Sequence, residues 1–201
     1  MLTDILLQAG ASYKTLDPDE ILFKEGTLCN FYYQLIDGNI KWVNISEDGK
    51  EFIQYVVNEN ECVGEVALFD DHLYAATAIA MTPCTVLRLH KDSFMKLLPL
   101  YPELHLFISK LMAQRLRFKL VSSKELAMYP PEHRIVSLLD YMMKNSRKNI
   151  CSKCRKVGLT RQQIADMTGL RVETVIRAMR HLHDIGKLTI EKGKVYCGNL
   201  I

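Results

Sequence analysis

The chain has 201 residues, of which 48% are hydrophobic and 24% charged, with a formal net charge of +3. That composition is one of a globular protein with room for one large core or two small ones. The opening residues Met1 to Gln8 carry Asp4 and no basic cluster, so they do not read as a secretory signal, and no apolar run approaches the roughly 18–20 residues of a membrane span. Six cysteines scattered along such a chain read as reduced cytoplasmic thiols rather than a disulfide framework, and the lack of a span predicts no membrane partner. The charge is unevenly placed. Residues 1–127 hold 12 Lys+Arg against 17 Asp+Glu, and residues 128–201 hold 14 against 6. A basic C-terminal third beside an acidic remainder predicts one module that meets a polyanion and another with a separate task.

Residues 1 to about 20 read as a helix and then a loop ending at Asp17-Pro18-Asp19. From Ile21 the pattern turns to short strands. Phe31–Ile36 runs into Asp37-Gly38, and Ile40–Ile45 leaves it, the signature of a hairpin whose turn needs positive φ. Asp48-Gly49 repeats the device before Glu51–Val57, and a further strand pair is expected over Tyr74–Ala80 and Thr85–Leu89. Strands at this spacing predict a small antiparallel barrel or jelly roll over residues 1–100. After His90 the period becomes helical, with a short helix over Ser93–Leu98. Pro102 then opens a long helix to about Ala127, within a segment 101–128. Leu104, Ile108, Leu111, Arg115, Phe118 and Ser122 form one stripe along it, with Leu116 and Leu120 close by. A stripe of that length predicts pairing with a second copy of the chain.

Tyr129-Pro130-Pro131-Glu132 breaks that helix and starts a C-terminal domain over 129–201. His133–Lys144 is the next amphipathic helix, and Asn145–Lys156 a polar, basic loop. Thr160 to Arg180 reads as two short helices broken at Gly169. Small Ala165 allows a close crossing, Gly169 supplies the turn, and Ile164, Leu170 and Val175 fill the wedge. That spacing is what a helix-turn-helix needs, and Arg171, Glu173, Thr174, Arg177 and Arg180 crowd one face of the second helix. Lys187–Ile190 and Lys194–Cys197, joined by Glu191-Lys192-Gly193, complete a wing.

This succession resembles the Crp/Fnr family of transcription regulators over nearly the whole chain, most specifically in Leu159–Ala165 with Val172–Arg177, and again in Val63–Phe69. The resemblance implies an α+β fold: an N-terminal antiparallel β-roll of the cyclic-nucleotide-binding kind, a long dimerisation helix, and a C-terminal winged helix-turn-helix. It implies a homodimer that binds double-stranded DNA at a palindromic, TGA-containing site, with RNA polymerase as a further partner. Glu173 and Arg177 take the positions that read a cytosine and a guanine. The chemistry suits them, since a carboxylate accepts from cytosine N4 and a guanidinium grips guanine O6 and N7. Val172 stands where the cyclic-AMP-responsive branch has Arg, and Thr160, Arg161 and Gln162 open the first helix, where donors touch phosphates.

The same resemblance places an effector region at Gly64, Glu65, Tyr74 and Ala75, with Lys119 from the long helix. Gly64 and Glu65 match a ribose-binding pair, but no Arg occurs from Val66 through Val86 to hold a cyclic phosphate. That absence argues against cyclic AMP and leaves the effector unknown, with haem open through His72, His90 and His105. Cys151-Ser-Lys-Cys154 has half the spacing of a zinc site, too little to assign a metal. The alternative is a cyclic-nucleotide sensor whose output is ligand capture. An enzyme is not expected, because no nucleophile–base spacing or phosphate loop occurs.

Overall fold

The computed structural model describes residues 2–145 and 155–198, so Cys151 and Cys154, and most of the loop expected over 145–156, lie outside the described residues. The chain divides into two compact units, residues 1–114 and 115–201.

The first unit opens with α1 (Leu2–Gln8), followed by β1 (Ser12–Leu16), β2 (Ile21–Phe23), β3 (Phe31–Asp37), β4 (Ile40–Ile45), β5 (Glu51–Val57) and β6 (Cys62–Val63). A short helix α2 (Glu65–Phe69) then precedes β7 (Thr77–Ala80), β8 (Cys84–His90) and α3 (Lys91–Leu97). The strands form two four-stranded sheets, in the orders β1-β8-β3-β6 and β2-β7-β4-β5. Side chains alternate across them. On β3, Tyr33 and Leu35 join Ile40, Val57 and Val86 in a core between the sheets, while Tyr32 turns the other way to meet Leu87, Leu89 and the helices.

Two expectations are corrected here. Residues 12–16, expected as loop, form the edge strand β1 beside β8. Only Leu16 of this strand is buried, so the usual alternation of apolar and polar residues is too weak to announce it. The strands expected as a pair, β7 and β8, lie in different sheets. The connection Met81-Thr82-Pro83 crosses between sheets beside the β3–β4 turn, where the Met81 N–H donates to the Asn39 carbonyl and the Asn39 N–H to the Thr82 hydroxyl. Pro83 has no N–H to give a ladder.

Helix α4 (Pro102–Met128) is 27 residues long and contributes to both units. Its expected dimer stripe is also corrected. Leu104, Ile108, Leu111, Arg115 and Phe118 are 2–7% exposed in a single chain. The first three pack into the core beneath the β1-β8-β3-β6 sheet, and the Phe118 ring meets Tyr141 at 4.4 Å. Besides Val121 and Met128 near its end, the open apolar positions are Leu106, Leu116 and Leu120, at 54%, 61% and 65% exposure. With exposed Ser109 and Ala113 they recur every three and four residues, the seam spacing of a two-helix contact.

The second unit continues with α5 (Pro131–Asn145), α6 (Arg161–Thr168), α7 (Val172–Asp184), β9 (Leu188–Glu191) and β10 (Lys194–Cys197). Ile135, Leu139, Ile164, Ala165, Val175, Ala178 and Met179 are all within 2% of fully buried. Where α4 gives way to α5, Arg134 donates to the Leu126 and Tyr129 carbonyls, each at 2.9 Å, and so satisfies the end of α4.

Candidate nucleic-acid interface

Helix α6 begins with a reciprocal cap. The Thr160 hydroxyl accepts from the Gln163 N–H at 3.1 Å, and the Gln163 side chain accepts from the Thr160 N–H at 2.9 Å. The helix ends at Gly169, with φ 65° and ψ 23°, a conformation that a side chain would strain. Its N–H bonds the Ala165 carbonyl, and the Leu170 N–H bonds the same carbonyl at 3.1 Å, which turns the chain into α7.

Arg171 is the N-cap of α7. Val175, Ala178, Met179 and Leu182 point inward, while Glu173, Ile176, Arg177 and Arg180 share the outer face and are exposed. Val172 and Thr174 are half-buried at its root. Helix α7 therefore presents a carboxylate in its first turn and guanidiniums one and two turns further on. That pattern fits entry into a major groove by the N-terminal end.

The residues assigned to phosphates behave differently. Arg161 donates from Nη2 to the Gly193 carbonyl at 3.1 Å, and so ties α6 to the wing. Gln162 donates to Asp166 on its own helix at 2.8 Å, a contact between side chains four apart. Sequence reading placed both as phosphate donors and missed these bonds. The first joins residues 32 apart, and no local pattern could announce it. The wing turn uses positive φ at Lys192 (48°) and Gly193 (76°), which suits a two-residue hairpin. It leaves Lys187, Lys192 and Lys194 exposed, three cations that the sequence reading did not assign to the interface.

The effector residues divide between the units. Gly64, Glu65, Tyr74 and Ala75 belong to the first and Lys119 to the second. Gly64, with φ 82°, caps α2, and a Cβ there would lie 2.7 Å from the Tyr74 ring and 2.8 Å from Phe23. Those two rings are stacked at 3.7 Å, with an angle of 9° between them. Glu65 is 2% exposed, and burial together with the Cys29 thiol pushes the Tyr74 hydroxyl pKa upward. Ala75 is exposed, and its carbonyl accepts from the Asn44 side-chain amide at 2.8 Å. Burial lowers the Lys119 ammonium to a pKa of about 8.

Of the haem candidates, His72 bonds the Asp70 carbonyl at 2.6 Å, His90 accepts from the Asp92 N–H at 3.3 Å, and His105 lies against Ser109. Among the described residues no three His, Cys, Asp or Glu side chains gather as a metal site, and no helix is long and apolar enough to cross a membrane.

Residues 13–100 match the family model of the cyclic nucleotide-binding domain, and residues 133–198 that of the Crp-like helix-turn-helix domain. The chain is similar to the cAMP-activated global transcriptional regulator CRP of Pasteurella multocida, 28% identical over 164 residues, covering 81% of this chain and 78% of that one. The anaerobic regulatory protein of Haemophilus influenzae is 25% identical over 179 residues, covering 89% and 69%. Among solved structures, the c-di-GMP responsive global regulator CLP of Xanthomonas campestris superposes with a TM-score of 0.81 at 20% identity, over 97% of both chains.

Proposed function

The chain belongs to the Crp/Fnr family of transcription regulators, and from that premise we propose that it is a cytoplasmic homodimer reading a palindromic, TGA-containing DNA site, with an effector other than cyclic AMP or none. Its family makes it a regulator rather than an enzyme.

The observation that carries the reading is the outer face of α7, where Glu173, Arg177 and Arg180 are exposed above a fully packed inner face. Glu173 accepts from cytosine N4, and Arg177 holds guanine O6 and N7. Thr160, Arg161 and Gln162 lie at the start of α6, with Arg171, Val172 and Thr174 at the root of α7; the wing lysines add phosphate contacts beside them. Leu106, Leu116 and Leu120 form the seam that brings two such helices to half-sites about one helical turn apart. RNA polymerase is the partner through which a bound dimer acts.

Support for an effector other than cyclic AMP comes from the cassette. It offers no Arg between Val66 and Val86, and Tyr74 is packed on Phe23 above Gly64. A cyclic phosphate would enter without a bidentate partner. Selection from a random DNA pool tests the whole reading. Inverted repeats containing TGA and TCA are expected, and a pool that yields no palindrome overturns it.

A further inference from the structure

We propose a small-molecule site outside the barrel, in the cleft between α1, the outer face of β3 and the first turns of α4, which takes a neutral molecule with an apolar body and one hydrogen-bonding carbonyl. The cleft has a volume of about 460 Å³. Leu2 and Ile5 of α1 and Leu104 and Phe107 of α4 form its apolar walls, Gln34 contributes a buried polar group beside Thr3 and Asn60, and exposed Glu103 stands at its lip. All of these belong to the first unit.

Gln34 is the informative residue. It is 2% exposed on the face of β3 that packs against helices, and its register partners, Cys62 and Leu87, are buried and apolar. Its amide oxygen accepts from the Tyr32 hydroxyl at 3.3 Å, and the Tyr32 ring is itself fixed on Phe94 at 3.9 Å. The amide nitrogen has no protein acceptor among the described residues and stays open to solvent where the side chain lines the cleft. A strand that needed only to pack would place a leucine here. That N–H is left to water in the cleft, and a ligand carbonyl would take the place of that water on an otherwise buried side chain. The acidic lip disfavours an anion, and the walls favour an apolar body.

The site is separate from the barrel interior. Gln34 and its neighbours Tyr33 and Leu35 point to opposite faces of the sheet, and Tyr33 and Leu35 line the core between the two sheets. The proposal does not depend on how the protein reads DNA.

Two probes of similar shape separate the polar handle from the apolar walls. Benzanilide carries an amide carbonyl, and N-phenyl-1-naphthylamine does not. Titration of the full chain is expected to show saturable binding of both. Gln34→Leu should raise the benzanilide Kd about tenfold, the scale of one good hydrogen bond, and change the naphthylamine Kd less than about twofold. Hydrogen exchange of the unaltered protein, saturated with benzanilide, should slow in residues 2–8 and 102–107. This second measurement stands even if Gln34→Leu fails to fold. Ile5→Trp, which fills the cleft from its edge, should abolish binding of both probes. No saturable benzanilide binding at millimolar concentration, equal losses of both probes on Gln34→Leu, or protection confined to residues 64–75 would each overturn the proposal.

Discussion

Replacing Leu116 and Leu120 together by Glu should separate the two copies while leaving each one folded. The two leucines are 61% and 65% exposed in the single chain. Full burial of a leucine is worth about 1.5–3 kcal/mol, so covering the open portion of each contributes about 1–2 kcal/mol. A two-fold contact covers four such side chains, about 4–8 kcal/mol in all, before any cost of placing carboxylates in an apolar seam. The dimer Kd should therefore rise about a thousandfold or more. Sedimentation equilibrium reads the assembly, and far-UV circular dichroism reads the fold, which should be kept because both side chains begin exposed, while the melting temperature should fall only by the lost contribution of association. DNA affinity should fall with dimer content. Ile108→Ala is the contrasting case, since Ile108 is 2% exposed. It should cost about 2–5 kcal/mol of folding stability and affect assembly only through the fold. A Glu variant that dimerises like the unaltered chain, or an unaltered chain that is monomeric at micromolar concentration, would refute the assignment of this face.

Arg177→Ala should cost about 1–3 kcal/mol per half-site and relax the preference at one base pair, as read by site selection and competition binding. Arg161→Ala should weaken all sequences alike and also speed hydrogen exchange in the wing, because it releases the Gly193 carbonyl; unchanged wing exchange would show that the bond does not hold the wing. Calorimetry with cyclic AMP should give no Kd in the low micromolar range, and such a Kd would overturn the proposed effector class. Lys119 is held at a pKa of about 8 in the fold against an ordinary 10.5, so the folded state disfavours its proton. The unfolded chain binds more protons between these values, so stability should rise from about pH 8 to about pH 10.5, and this rise should vanish in Lys119→Met. A pH slope that Lys119→Met leaves unaltered would locate its cause elsewhere.

The elements that could be read in advance were those with local chemistry. Asp37-Gly38 marks the β3–β4 turn, Pro102 is the first residue of α4, and Thr160 with Gly169 brackets α6. The misread elements depend on partners far along the chain. Strand β1 is a strand because β8 lies beside it, and the separation of β7 from β8 follows from a sheet crossing at Pro83. Helix α4 was misread for another reason: it is apolar on two faces. Periodicity finds both the Leu104–Ile108–Leu111 stripe and the Leu116–Leu120 pair, but it cannot tell which one meets the chain's own barrel. In the candidate interface, the exposure of Glu173 and Arg177 follows from the inward spacing of Val175, Ala178 and Leu182. The engagement of Arg161 with the wing does not, because nothing near residue 161 signals residue 193.

The buried cysteines make the protein its own clock. Cys29, Cys62, Cys84 and Cys197 form no disulfide, and each is 7% exposed or less. Three lie in the first unit and Cys197 lies in the wing of the second, where burial raises its pKa to about 11. An alkylating reagent reaches a thiol of this kind only while the surrounding structure is open, and it attacks the thiolate once there. The rate of modification at each position, resolved peptide by peptide, therefore measures how often its neighbourhood opens. Comparison of Cys62 and Cys84 with Cys197 would order the opening of the barrel and the wing without any engineered residue, and would show whether bound DNA slows one and spares the other.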